Sequence, residues 1–226
     1  MGEILSILGK EYFYFAMLRT ATPVLLTTLG AMTASRAGVS NIALEGTMLF
    51  AAFFGVIVSA FSQSALLGFL AAVGIGLLIS LLLSYFIVEL HSNGILSGIA
   101  LNTLASGGTI FLLFLITGEK GASTSLHSLK LPALNIPLIE NIPFVGKILS
   151  GQHILTYVSL LLVFAIATLF KKSRLGMEII AVGENPEAAE SLGISVKRVK
   201  RTALLISGAL TGMAGAFLSM GYVGLF

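Results

Sequence analysis

The 226-residue chain is 56% hydrophobic and only 10% charged, with a mean hydropathy of +1.01, whereas soluble domains carry roughly 25% charged residues. This excludes a soluble globular domain and points to a polytopic membrane protein. The net charge of +3 does not imply nucleic acid, because the excess Lys and Arg concentrate in one interval, and the absence of cysteine excludes a disulfide, a thiolate nucleophile or a Cys-ligated metal.

In chain order, the N-terminus MGEILSILGKEYFYFAMLR has Glu3 before any base and no small-residue cleavage site after a compact apolar core. A segment that stays in the membrane is expected, not a removable signal peptide. A spanning helix needs about 20 apolar residues at 1.5 Å each. Only sixteen uncharged residues separate Arg19 from Arg36. The first span therefore either reaches back to about Tyr12 and includes Arg19 or stops short in the bilayer, and Pro23 makes it irregular in both cases. For Arg19 itself three placements are open: snorkelling to the interface, pairing with Glu45, or facing a cavity.

Thr47 to Val88 runs 42 residues without a charge, about twice a spanning length, and Ser62-Gln63-Ser64 supplies a turn near its middle. Helices over roughly 43–61 and 65–88 follow. Further spans are expected over 92–118, 148–170 and 202–226. Between Gly118 and Gly151 the composition changes to Pro132, Pro137 and Pro143 with scattered charges, which reads as a loop outside the hydrocarbon. The expected fold is all-α: a polytopic helical membrane protein of about six transmembrane helices, with an irregular or broken first pair, forming one transmembrane domain over 1–226.

Lys171 to Arg201 holds seven of the thirteen basic residues, namely Lys171, Lys172, Arg174, Lys197, Arg198, Lys200 and Arg201. Its density of positive charge assigns it to the cytoplasm. Counting spans back places Glu89–His91 and Arg36 on the same side, and Ser62–Ser64, the 118–151 loop and the N-terminus on the other. Within the interval, Asn185-Pro186-Glu187-Ala188-Ala189 up to Gly193 has the layout of a short isolated helix: a cap, proline at the first helical position, an acid in the first turn and glycine past the end. Such a helix, held at a membrane surface between basic flanks, is a candidate docking element.

Three constellations could carry function. In Ser35–Gly46, Gly38 permits a helix break, Ser40 or Asn41 can cap a restart and Glu45 falls in the first turn. Two readings are open: a discontinuous helix lining a cavity at membrane depth, or a tight cytoplasmic turn with Glu45 paired to Arg36. Asn102 and Thr103 lie about ten residues into their span, near mid-bilayer, where a side-chain amide must find a partner on another helix or a polar solute. Asn41, Glu45, Asn102 and Thr103 are thus the candidate substrate-pathway residues. Gly208 and Gly212 form a G-x-x-x-G row that Ala216 extends, a helix-packing surface used either within the chain or in a dimer.

Enzymatic readings find little support. His91, His127 and His153 have no i, i+4 partner and no HExxH, so no metal site is expected, and no G-x-x-x-x-G-K-[ST] is present. No catalytic residue and no cofactor are assigned; if ATP is used, another chain binds it.

Together, TPVLLTTLGAMTASRAGVSNIALEG (22–46), AVGENPEAAESLGI (181–194) and SGALTGMAGAFLSMGYVGLF (207–226) resemble the permease subunits of ATP-binding-cassette importers of the branched-chain amino acid and ribose superfamily, most closely its nucleoside, or simple-sugar, group. The resemblance covers essentially the whole chain, and members of this kind usually continue past the position of Phe226 with further helices. It implies a transporter subunit and not an enzyme, carrying nucleosides or related small polar solutes by alternating access, with branched-chain amino acids or pentoses as the alternative substrates. The implied location is the cytoplasmic (inner) membrane of a prokaryote. The implied partners are cytoplasmic ABC ATPases, a second permease subunit identical or related to this one, an extracytoplasmic substrate-binding lipoprotein and membrane lipid. Glu184, Asn185, Pro186, Glu187, Ala188, Ala189 and Gly193, within 171–201, look like the segment that couples to the ATPase.

Overall fold

The computed structural model describes residues 11–118, 129, 131–134 and 150–223. Residues 1–10 and most of the 118–151 loop, including Pro137, Pro143 and His127, lie outside the described residues, and so does much of what was expected of them. Among the described residues, six helices are long and apolar enough to cross a membrane.

The first, α1 (Glu11–Arg36), is a continuous 26-residue helix. It includes Arg19, so the longer of the two expected spans is the observed one. Pro23 lies inside it and cannot donate to the carbonyl four residues back. The threonines around it turn their hydroxyls onto their own backbone: Thr22 Oγ1 donates to the Leu18 carbonyl at 2.9 Å and Thr27 Oγ1 to the Pro23 carbonyl at 2.8 Å. That keeps polar groups satisfied where no water is available. The irregularity of the first pair lies after this helix, at Ala37–Ala43, where Gly38 adopts φ +72°.

Helix α2 (Leu44–Ser62) ends on Gln63 in a left-handed conformation. Helix α3 (Ala65–Ser84) is capped by Ser64, whose hydroxyl accepts from the Leu67 amide, and it continues into a π-helical turn over Tyr85–Glu89. The Ser62–Ser64 turn expected from the sequence is therefore present. Asn93 caps α4 (Gly94–Thr117), accepting from the Ile95 and Leu96 amides, and Gly118 closes it at φ +72°. A short antiparallel pair, β1 (Ala133–Leu134) with β2 (Gln152–His153), precedes α5 (Ile154–Lys172), so this span starts six residues later than expected.

The interval from Lys171 is more helical than its charge suggests. Ser173 caps α6 (Arg174–Glu184), accepting from the Gly176 amide at 3.0 Å. Asn185 caps α7 (Pro186–Ser191), and Gly193 follows at φ +80°. The last long helix, α8 (Val196–Ala216), passes into a π-helical stretch over Phe217–Val223. Two expectations need correction. The capped helix at 186–191 is not isolated, because α6 runs directly into it, its Leu175, Ile179 and Val182 recurring at helical spacing with Ile179 and Val182 buried. The final helix also starts at Val196, not 202, so Lys197, Arg198, Lys200 and Arg201 occupy its first turns.

Helix α8 is the axis of the fold, 72% buried over its most apolar window, with α1, α2 and α3 packed around it. Helix α4 packs on α2 and α5 on α1. In a bilayer, apolar surface gives no drive for helix association, so contact depends on close backbone approach. Gly208 and Gly212 provide it: a Cβ added at Gly208 would collide with the Gly76 carbonyl and the Ser80 side chain, and one at Gly212 would lie 2.8 Å from the Ala72 carbonyl. Ala216 packs with Ala51 and Ala72 in a buried cluster. The small-residue row is thus filled by α3 and α2 of the same chain.

The two ends of the bundle sort as the charge count requires. At one end Glu89 receives Lys197 Nζ at 3.1 Å and Arg201 Nη2 at 2.7 Å, and Gly183 touches Arg36 and Gly38. At the other, Gln152 Nε2 donates to the Phe15 carbonyl at 2.9 Å, Arg19 Nη2 to the Gly221 carbonyl at 2.9 Å, and the Leu131 amide to the Met220 carbonyl. Arg19 therefore does not pair with Glu45; its guanidinium is tied to the far end of the α8 axis.

Candidate functional site

Two features of the structure stand next to each other at the basic end: the α6–α7 hairpin and the segment 37–46 that leads into the first turn of α2. The hairpin is built from caps. The Asn185 Oδ1 accepts from the Ala188 amide at 3.0 Å, Pro186 occupies the first turn, and the chain turns back through Gly193, whose amide reaches the Glu190 carbonyl at 2.9 Å. One apolar cluster seats the hairpin on the bundle: Ala37 from the end of α1, Ile179 and Val182 from α6, Ala189 from α7, Val199 and Ala203 from α8. Ala189 is buried there, while Glu184, Asn185, Pro186, Glu187, Ala188 and Gly193 face outward. Replacing Asn185 with alanine removes the cap, and we expect a loss of about 1 kcal/mol confined to α7. Amide exchange at Glu187 and Ala188 should accelerate while the α8 amides stay protected.

The chain reverses at the basic end, where the Val39 amide donates back to the Ala34 carbonyl and Gly38 holds φ +72°, and then climbs along α4. A Cβ on Gly94 would lie 3.5 Å from the Ser40 carbonyl, one on Gly98 would meet Ile42 and Ala43, and one on Gly46 would lie 2.9 Å from the Asn102 Cα. Ser40, Ala43 and Gly46 thus climb α4 from Gly94 to Asn102, eight residues or about 12 Å of rise. Helix α2 consequently starts about two turns above the start of α4, so the connection from α1 is longer than a tight turn, and its climb is made of extended chain.

Two asparagines hold this climb. Asn102 Oδ1 accepts from the Gly46 amide at 2.8 Å, and its Nδ2 donates to the Ile42 carbonyl at 2.9 Å. Asn41 Oδ1 accepts from the Ala43 amide at 3.1 Å, and its Nδ2 donates to Ser207 Oγ on α8 at 3.0 Å. These bonds satisfy backbone groups that an interrupted helix leaves open at membrane depth. Thr103, the neighbour of Asn102, is exposed and bonds back to the Ile99 carbonyl. Glu45, in the first turn of α2, is exposed and makes none of the ion pairs among the described residues; Arg36 is not its partner. The four residues singled out in sequence therefore divide: Asn41 and Asn102 meet on one backbone segment, while Glu45 and Thr103 present to the outside of the chain.

Sequence reasoning missed Ser207, Gly46 and Gly183. Ser207 and Gly183 adjoin motifs that were read, but only contact across the fold distinguishes them from other small residues. Among the described residues no cluster of His, Asp or Glu could hold a metal ion.

The chain compares directly with known proteins. A family model described as the permease component of branched-chain amino acid transport systems matches residues 13–225. This chain belongs to that permease family. The permease is 34% identical over 220 residues to the guanosine ABC transporter permease NupQ of Bacillus subtilis, covering 94% of this chain and 67% of that one. It is also 34% identical over 220 residues to the nucleoside ABC transporter permease NupC of Lactococcus lactis subsp. cremoris, covering 93% and 68%. Similarity to the glucose ABC transporter permease TsgB13 of Haloferax volcanii is lower, 28% over 231 residues, 97% of this chain and 60% of that one. The permease thus spans between 60% and 68% of the length of these relatives. No solved structure matches it significantly. As a family member with six apolar helices among its described residues, the permease is a multi-pass membrane protein.

Proposed function

We propose that the permease is the membrane subunit of an ATP-binding-cassette importer for nucleosides or related small polar solutes, in the cytoplasmic membrane of a prokaryote. The α6–α7 hairpin is the observation that carries this reading, a capped, outward-facing element seated at the basic end of the bundle of a chain whose sequence has no G-x-x-x-x-G-K-[ST] motif. In this reading residues 171–201 form the coupling segment, and Glu184–Gly193 sits in a cleft of a partner ATPase. A second permease subunit completes the pathway, and a binding lipoprotein delivers solute at the opposite end.

Glu45 and Thr103 are the residues we assign to the pathway, since both side chains are outward-facing at the depth where α2 begins. Asn41 and Asn102 act by holding that start in place. Deletion of Glu184–Gly193 is expected to abolish co-purification of the ATPase while the six spans still insert; retained co-purification would overturn the docking assignment. For the substrate, uptake of labelled guanosine should be competed by other nucleosides. The family description favours branched-chain amino acids as the second reading, and competition by leucine or ribose in place of nucleosides would establish it or the pentose alternative.

A further inference from the structure

The covalent links from the hairpin run into α5 on one side and α8 on the other. A third link is made by contact. Gly183, one residue before the end of α6, lies against the turn that follows α1: a Cβ added at Gly183 would collide with the Arg36 carbonyl and lie 3.1 Å from the Gly38 nitrogen. Gly38 itself holds φ +72°, and a Cβ on it would sit 3.4 Å from the Gly183 Cα. Two backbones are therefore in direct contact with no side chain between them, and Ala37 adds its side chain to the same buried cluster as Ile179 and Val182.

What leaves this contact is the segment that climbs α4. From Val39 it passes Gly94, Gly98 and Asn102 and ends on the first turn of α2, which carries Glu45. Along its length it is tied to α8 through Asn41 and Ser207 and to α4 through Asn102. It is short and multiply bonded, and its backbone contact at the base has no side chain to absorb displacement by changing rotamer. Interfaces of this closeness do not deform continuously; a shift at one end is passed on or the contact breaks.

We propose that segment 37–46 is a lever, driven at its base by Gly183 of the coupling hairpin, that moves the start of α2 and hence Glu45 when the ATPase moves the hairpin. Gly183 and Gly38 are positioning residues of the transport cycle. The proposal rests on the docking role of the hairpin given above, and its test separates the two.

Gly183→Ala forces the backbones apart without touching the outward face of α7. In proteoliposomes holding the permease with its co-purified ATPase and binding protein, we expect ATPase association to persist and guanosine taken up per ATP hydrolysed to fall at least tenfold. Gly38→Asn, which tolerates a left-handed backbone, should keep at least half of the native ratio, whereas Gly38→Val should not. A merely structural role would lower association and uptake together and leave guanosine taken up per ATP hydrolysed unchanged, and that result overturns the lever. Because the chain has no cysteine, Ile42→Cys places a single reporter on the segment that needs no disruptive variant. Its reaction rate with a water-soluble maleimide should change at least threefold when a non-hydrolysable ATP analogue is added to the complex. An unchanged rate in a complex that still binds its ATPase also overturns the lever, while loss of the ATPase from the unmutated chain refutes the docking role first.

Discussion

Gly208→Leu is expected to abolish the folded bundle, with the monodisperse peak in detergent size-exclusion chromatography falling to a small fraction of that of the native chain. At this crossing Gly208 meets the carbonyl of Gly76 and the side chain of Ser80, and Gly76 in turn lies against the Gly208 carbonyl and Gly212. Both helices present backbone, so no rotamer change relieves an added side chain. Overpacking costs about 1–3 kcal/mol where side chains can shift, and more where they cannot. Since α8 is the most buried of the spans, separating it from α3 opens the centre of the fold. Gly74→Leu and Gly107→Leu provide the internal comparison: a Cβ at either position meets nothing within 4 Å, and both variants should elute like the native chain. If Gly208→Leu behaved like them, the close α3–α8 crossing would be wrong.

Asn102→Leu is the second large effect. The two side chains have nearly the same volume, so the substitution leaves little cavity and acts mainly by removing one acceptor and one donor. The Gly46 amide and the Ile42 carbonyl lose their partners, and the amide of buried Gly46 left unpaired costs about 1–3 kcal/mol. The thermal midpoint in detergent should drop by several degrees, and amide exchange should rise first at Gly46 and its neighbours. Asn102→Asp keeps an acceptor for Gly46 but loses the donor to Ile42, so an intermediate loss is expected. A midpoint unchanged in Asn102→Leu would mean that water replaces the amide at this depth and that the segment is not held by it.

The two predictions differ in how far they could be read from sequence. The small-residue row Gly208, Gly212, Ala216 was legible as a packing surface because spacing along one helix is local information; its partner, Gly76 on α3, was not. Asn102 was legible as a polar group needing a partner at mid-span. That the partner is the backbone of residues 42–46, and not a side chain or a solute, depends on a segment more than fifty positions away in sequence. Arg19 illustrates the same limit from the other side. Its cost in the membrane was evident, yet its actual acceptor, the Gly221 carbonyl, is 202 residues distant.

What the sequence determined by itself was the number of candidate spans, their alternation between the two ends of the bundle and the capped helix at 186–191. Each follows from properties carried within about 20 consecutive residues: hydropathy against bilayer thickness, the side on which Lys and Arg accumulate, and the matching of open backbone groups by Asn185, Pro186 and Gly193. The tertiary structure decided the rest. It extended α8 back to Val196 through a basic stretch, because Val199 and Ala203 bury against the hairpin while Lys197 and Arg201 reach Glu89. It also turned Ser35–Gly46 from a choice between a surface turn and a broken helix into a climb along α4. Glycine permits such a path without dictating it; the direction was set by hydrogen-bond partners that only the packed bundle supplies.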